Sequence, residues 1–133
     1  MRRATLLLML VLMAIGAAAP AADAPPPVVA YYLHREIRCV SCLLVEEMAQ
    51  WAIEARYAEQ VAAGQLVFQP VNIEAPGQEH FEQDFELEYL ALVLAEYDDD
   101  QMVRWQNLER IWDLYETPAD FDAYLPEIPP WKA

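Results

Sequence analysis

The sequence predicts an α/β fold: a central mixed sheet of about four strands in the order β-α-β-α-β-β-α, flanked by helices. Short runs rich in β-branched and aromatic residues alternate with stretches whose apolar residues recur every three or four positions, as helices require. A length of 133 residues leaves room for a single domain. Because crossover connections are right-handed, the first two strands are expected to lie parallel in one sheet.

The N-terminal residues 1–22 have the features of a secretory signal peptide. Arg2 and Arg3 precede an apolar run over residues 4–15, and a small-residue site follows at residues 19–21. The apolar run is shorter than the roughly 20 residues that span a bilayer, although an uncleaved N-terminal anchor is the alternative. We therefore expect an exported protein, periplasmic or secreted, with no stable membrane insertion after cleavage.

The folded domain is predicted to occupy residues 28–128. It follows a stiff proline-rich spacer at residues 23–27, and residues 129–133 form a tail. The first strand is predicted at residues 28–33, which are almost continuously apolar, as in a buried central strand.

The first helix is predicted at residues 40–63, followed by Gly64, a residue that commonly ends helices. Apolar residues at spacings of three and four form a stripe that we expect to be buried. This predicted stripe comprises Leu44, Met48, Trp51, Ala55, Ala58 and Ala62.

The second strand, at residues 66–73, contains Pro70, which cannot donate a ladder hydrogen bond. We therefore expect this strand at a sheet edge or with a bulge. A short helix over residues 78–87 follows, with Phe81 and Phe85 among its apolar positions.

The C-terminal part is predicted to contain a hairpin and a closing helix. The hairpin strands are residues 90–97 and 102–105, joined by an aspartate turn. A weak helical signal covers residues 109–115. The closing helix, residues 118–125, begins with Thr117 as its N-cap and a proline in its first turn.

The formal net charge of −14, or −16 without Arg2 and Arg3, makes nucleic acid and anionic membranes poor partners. With 3 glycines and no phosphate-binding loop, the chain is expected to use no nucleotide or flavin cofactor. Two cysteines in an exported chain fit one disulfide.

Cys39 and Cys42 form a C-x-x-C pair between the first strand and the first helix. One turn of helix brings two such sulfurs within bonding distance, so the pair is a candidate redox dithiol. A structural disulfide is an alternative, although closing so short a loop removes little chain entropy. A Cu(I) or Zn(II) site that adds His34 and His80 is another alternative. His34 could instead simply end the strand.

The element order resembles the minimal thioredoxin fold. His34, Arg38, Cys39, Cys42 and Glu46 match an H-x-x-x-R-C-x-[ST]-C-x-x-x-E signature. This pattern resembles small thioredoxin-like proteins labelled as the nitrophenyl compound nitroreductase subunit family. We carry over the fold and the dithiol, but not nitro-group reduction.

The resemblance implies catalytic roles in thiol–disulfide exchange with a protein thiol or disulfide partner. Cys39, at a helix N-terminus, would be the nucleophile, and Cys42 the resolving thiol. Arg35 and Arg38 would lower the pKa of the Cys39 thiol, and His34 could tune it or relay a proton.

Two features depart from thioredoxin. The W-C-G-P-C sequence is absent, so the reduction potential cannot be carried over. The loop expected to face the substrate, Tyr89, Leu90 and Ala91, lacks the proline that normally precedes the third strand. That loss favours a specialised reaction and makes metal binding more plausible.

Overall fold

In a computed structural model of the chain, residues 27–126 are described. The predicted signal peptide, residues 23–26 of the spacer, residues 127–128 of the predicted domain and the predicted tail lie outside these residues. Four strands form one sheet. They are β1 Val28–His34, β2 Leu66–Asn72, β3 Leu92–Asp98 and β4 Gln101–Asn107.

The strand order in the sheet is β2-β1-β3-β4. β1 pairs in parallel with β2 and antiparallel with β3, which forms the predicted hairpin with β4. This mixed sheet with flanking helices confirms the predicted α/β fold class and is compatible with a minimal thioredoxin-like fold. Because β1 and β3 are antiparallel neighbours, residues that follow β1 and residues that precede β3 meet at the same end of the sheet.

Five helices are described. They are α1 Val40–Arg56, α2 Ala58–Ala62, α3 Phe81–Asp84, α4 Ile111–Leu114 and α5 Pro118–Tyr124. Among the described residues, none of the helices has the length and apolarity needed to cross a bilayer.

Both faces of the sheet are covered, so β1 is buried on both sides. Ala30 and Tyr32 pack into a core with α1, α4 and α5 on one face. Tyr31 and Leu33 pack into a second core with Phe81 of α3 on the other. Alternating side chains of an extended strand point to opposite faces, so the continuous apolar run of β1 serves two cores.

The predicted single helix over residues 40–63 is wrong at Tyr57. The backbone of Tyr57 has φ −112° and ψ 34°, which separates α1 from α2. Its ring is buried, and its hydroxyl donates to the carbonyl of Pro126. Tertiary packing of this side chain therefore interrupts a segment whose local pattern favours one helix.

The predicted buried stripe on α1 is also wrong. Leu44 and Trp51 are 50% and 61% exposed, whereas α1 buries a neighbouring set of residues. That buried set comprises Val45, Ala49, Ala52 and Ile53. Both sets fit a helical period, and the small alanines of the second set let the helix approach the sheet closely.

We expect Ile53→Ala to lower the free energy of unfolding by about 2–5 kcal/mol, because it empties a fully buried site. Leu44→Ala, a matched change on the exposed face, is expected to change it by less than about 0.5 kcal/mol. Urea denaturation of both variants measures the difference. Equal losses would contradict the observed orientation of α1.

The remaining strands and helices predicted within residues 27–126 are found at the expected positions and differ in extent. Pro70 lies in β2 at the sheet edge, as predicted. The hairpin turn is Asp99 and Asp100, both with positive φ, a conformation that aspartate tolerates better than most residues. Thr117 is the N-cap residue of α5, as predicted, but its hydroxyl donates to the carbonyl of Leu114 at 3.3 Å and makes no capping hydrogen bond to the helix.

The other boundaries shift by a few residues. The helix predicted at 78–87 is confined to α3, since Glu86 has φ 49° and leaves the helical region. The third strand begins two residues later than predicted, and the fourth extends to Asn107. The weak helical signal at residues 109–115 corresponds to the single turn of α4.

Candidate functional site

Cys39 and Cys42 are joined by a disulfide at the start of α1, with their Cα atoms 5.0 Å apart. Cys39 is the N-cap residue of α1 and has extended backbone angles. The amide of Cys42 donates to Cys39 Sγ at 3.1 Å. A thiolate at this sulfur would therefore be stabilised by a helix amide and by the positive end of the helix dipole.

The two sulfur-bearing residues differ in exposure. Cys39 is exposed and Cys42 is half-buried, one turn further into the helix. An external sulfur can therefore approach Cys39 more readily than Cys42. This asymmetry matches the roles that the resemblance implies, with attack at the first cysteine and resolution by the second.

Arg38, next to Cys39, is held by Glu46 of α1. Its guanidinium forms an ion pair with the Glu46 carboxylate, and each side chain is only about a fifth exposed, at 21% and 22%. The same guanidinium lies 5.9 Å from the centre of the Tyr32 ring. The Arg38 guanidinium is thus held by Glu46 and the Tyr32 ring, and its charge is partly compensated by Glu46.

Tyr32 connects the core to the dithiol. Its hydroxyl donates to the carbonyl of Cys42 at 2.8 Å. Burial raises the pKa of Tyr32 to about 12, against a smaller lowering effect of the Arg38 charge. The phenol therefore stays protonated at neutral pH and keeps this donor available to the first turn of α1.

Arg35 belongs to a clamp that fixes the β1–α1 loop. Its guanidinium lies 3.3 Å from a carboxylate oxygen of Glu74 and 3.3 Å from one of Glu82. Glu74 also accepts a hydrogen bond of 2.8 Å from the backbone amide of Glu36. That backbone bond, followed by the Arg35 contacts, lowers the pKa of Glu74. The described contacts of Arg35 thus run to carboxylates that anchor the loop.

His34 ends β1 and is half-buried. Its Nδ1 lies 2.9 Å from the carbonyl oxygen of Arg35, and its own carbonyl accepts from the amide of Ile73 at 2.9 Å. These contacts give His34 a structural position at the strand end. A role in tuning the thiol stays a prediction.

Within residues 27–126, no three His, Cys, Asp or Glu side chains converge in a way that could hold a metal ion. His80, the second imidazole considered above, stacks on Phe81 and lies 2.7 Å from Asp84 through Nδ1. The disulfide also ties up the two sulfurs that the metal alternative needs. The geometry of the oxidised protein therefore gives that alternative no additional ligands.

The predicted substrate-facing loop precedes β3. The carbonyl of Ala91 accepts from the amide of Leu33 at 2.9 Å, and the carbonyl of Leu90 accepts from Trp112 Nε1 at 2.6 Å. Tyr89 is 80% exposed. With Arg35, Tyr89 and Leu90 line a small cavity of about 160 Å³. The loop thus lies at the sheet end where β1 delivers the dithiol segment.

Apolar side chains around the disulfide face solvent. Four of them are at least half exposed, and all lie within five residues of a cysteine. They are Ile37, Val40, Leu43 and Leu44. Adjacent exposed apolar residues are characteristic of a surface that contacts another protein.

Three of these features were not predicted from the sequence. The first is the ion pair between Glu46 and Arg38, since Glu46 was noted only as part of the signature. The others are the hydrogen bond from Tyr32 to Cys42 and the carboxylate partners of Arg35. The spacing of Glu46, four residues after Cys42 in the signature, was a usable signal for the first. The other two depend on tertiary contacts.

Comparison of the chain with protein-family models, curated proteins and solved structures finds no significant match in any of the three.

Proposed function

We propose that this chain is an exported thioredoxin-like protein that exchanges thiols and disulfides with a polypeptide partner through Cys39 and Cys42. The observation that carries the proposal is the disulfide at the helix N-terminus, with Cys39 exposed and its sulfur accepting from the Cys42 amide at 3.1 Å. A merely structural bridge requires neither exposure nor a helix amide aimed at one sulfur.

The exchange proceeds in two displacements. The Cys39 thiolate attacks one sulfur of the partner disulfide, forms a mixed disulfide and releases the first partner thiolate. The Cys42 thiolate then attacks Cys39 Sγ, which closes the internal disulfide and releases the second partner thiolate. Two electrons pass from the dithiol to the partner, and the thiolates take up protons from water. The reverse sequence oxidises a partner dithiol.

The exposed apolar residues around the disulfide support a polypeptide partner. Val40 and Leu43 flank the cysteines and would lose water against apolar residues of the partner beside its own sulfur. The net charge of −14 favours partners with a basic surface. An exported location, periplasmic or secreted, fits because disulfides persist in oxidising compartments.

The experiment is a pair of measurements on the reduced protein. We expect the Cys39 thiol to show a pKa below the unperturbed value of about 8.5, from the pH dependence of its alkylation. We also expect equilibration with glutathione buffers to give a reduction potential above about −300 mV, within the range of exchange-active dithiols.

A thiol pKa near 8.5 together with a potential far below about −300 mV would identify the disulfide as structural. The chain would then be a binding or accessory module. Stoichiometric zinc or copper in protein purified under reducing conditions would favour the metal site instead.

A further inference from the structure

A groove of about 540 Å³ opens between the loop before β3 and the region around α4. This volume lies in the range of small-molecule sites, which is about 300–1,000 Å³. Tyr89 and Leu90 lie on one side, and Trp112 lies on the other. Tyr89, Leu90 and Ala91, the loop expected to face the substrate of the exchange reaction, form part of this groove.

The two aromatic residues give the groove an apolar wall. The indole of Trp112 is fixed by its 2.6 Å hydrogen bond to the carbonyl of Leu90. Tyr89 is 80% exposed, so its ring is accessible to a ligand. Faces of indole and phenol rings attract cations, because the π-electrons make the ring face negative.

Carboxylates surround this wall, and none of the lining residues within 27–126 is basic. Arg35 lines the adjoining small cavity together with Glu88, Tyr89 and Leu90. Glu88, Glu109 and Asp113 form no ion pair within residues 27–126. Arg110, which follows Glu109, instead places its guanidinium 5.4 Å from the centre of the Tyr124 ring. Acidic side chains therefore predominate in the lining of the groove, which favours cationic ligands.

We propose that this groove binds a cationic nitrogen group, ammonium or guanidinium, carried on an aliphatic chain. The methylenes would pack against Leu90 and Trp112, and the charge would lie among the carboxylates of Glu88, Glu109 and Asp113. A free aliphatic amine and a Lys or Arg side chain of a bound polypeptide share this chemistry. The proposal does not depend on the dithiol chemistry, so either can fail without the other.

The test is a titration of the oxidised, nitrogen-15-labelled protein, in which NMR monitors the indole N–H resonance of Trp112. The probes are cadaverine, the peptide acetyl-Ala-Lys-Ala-amide, and the same peptide with norleucine in place of lysine. We expect the cationic probes to shift the Trp112 resonance saturably, and the norleucine peptide to leave it unchanged. Binding of cadaverine identifies a free amine as sufficient, whereas binding of the lysine peptide alone identifies a polypeptide side chain.

Two triple variants with the same change in net charge separate the groove from the general acidity of the protein. Glu88→Gln with Glu109→Gln and Asp113→Asn is expected to weaken binding about tenfold, which corresponds to about 1.4 kcal/mol. Glu47→Gln with Glu54→Gln and Glu59→Gln, on α1 and α2, should leave affinity within about twofold, because these exposed charges are screened. Any one of three results would overturn the proposal. They are the absence of a saturable shift with both cationic probes, equal binding of the norleucine peptide, and equal weakening of binding by the two triple variants.

Discussion

Cys39→Ser is expected to lower the rate of thiol–disulfide exchange by more than about 100-fold, because it removes the accessible nucleophile. Cys42→Ser should instead retain the first displacement and stop after it, leaving a stable mixed disulfide at Cys39. The difference follows from exposure: Cys39 is exposed at the N-cap of α1, and Cys42 is half-buried one turn later. The two variants thus separate attack from resolution.

The measurement is mass spectrometry of each reduced variant after incubation with oxidised glutathione. We expect a glutathione adduct on the Cys42→Ser protein and little or none on the Cys39→Ser protein. Ser41→Ala is a matched control, since Ser41 lies between the cysteines and is exposed. It should exchange at close to the wild-type rate. Urea denaturation of all three variants checks that each is folded.

Equal adduct formation by the two cysteine variants would contradict the assigned roles. It would show that the sulfur of Cys42 is as accessible as that of Cys39 once the disulfide is reduced. Failure of both variants to form an adduct would remove the exchange proposal, while the cation-binding groove could still be tested separately.

The sheet could be predicted from the sequence because its signals are local. β1 is apolar throughout since it lies between two cores, and Pro70 marks an edge strand because proline lacks an amide donor. The buried face of α1 could not be predicted in the same way. Two sets of apolar residues alternate along α1, and each fits the helical period. Only contact with the sheet decides that the set containing Val45 and Ile53 is buried.

In the candidate site, too, some features follow from the local sequence and others depend on tertiary contacts. The positions of Cys39 and Cys42 at a strand–helix junction follow from the order of elements along the chain. The effect of Arg35 and Arg38 on the thiol was predicted from proximity in sequence, which says nothing about counter-charges. Glu74, which is distant in the sequence, pairs with Arg35, and Glu46 of α1 pairs with Arg38. Each carboxylate partly compensates the charge of its arginine. Sequence spacing alone therefore overstates the positive charge acting on the sulfur.

Opposite changes at the Arg38–Glu46 pair are expected to move the pKa of the reduced Cys39 thiol in opposite directions. Arg38→Gln removes a cation beside the thiolate, so the thiol pKa should rise by roughly one unit. Glu46→Gln leaves the Arg38 charge uncompensated, so the pKa should fall by a similar amount. A thiol pKa that falls by one unit gives about tenfold more thiolate at a pH below the pKa.

The pH dependence of Cys39 alkylation measures these shifts, with Cys42→Ser in every protein so that a single thiol reacts. Glu47→Gln is the matched control: Glu47 is adjacent to Glu46 and carries the same charge, but it is exposed. It should change the thiol pKa by less than about 0.3 unit because solvent screens it. If the thiol pKa of the Glu46→Gln protein also fell by less than about 0.3 unit, Glu46 would not compensate the charge of Arg38 at the sulfur.

The double variant Arg38→Gln with Glu46→Gln tests whether the two charges act on the thiolate as a pair. If the two charges act on the thiolate as a pair, their removal together should return the thiol pKa close to that of the parent, because the single shifts have opposite signs. Each single variant should also lower the free energy of unfolding by about 1–2 kcal/mol, since it leaves a largely buried charge unpaired. The double variant should lose less than the sum of the two, as expected for residues in direct contact. A thiol pKa that follows Arg38 alone would instead assign Glu46 a role in folding but none in setting the reactivity of Cys39.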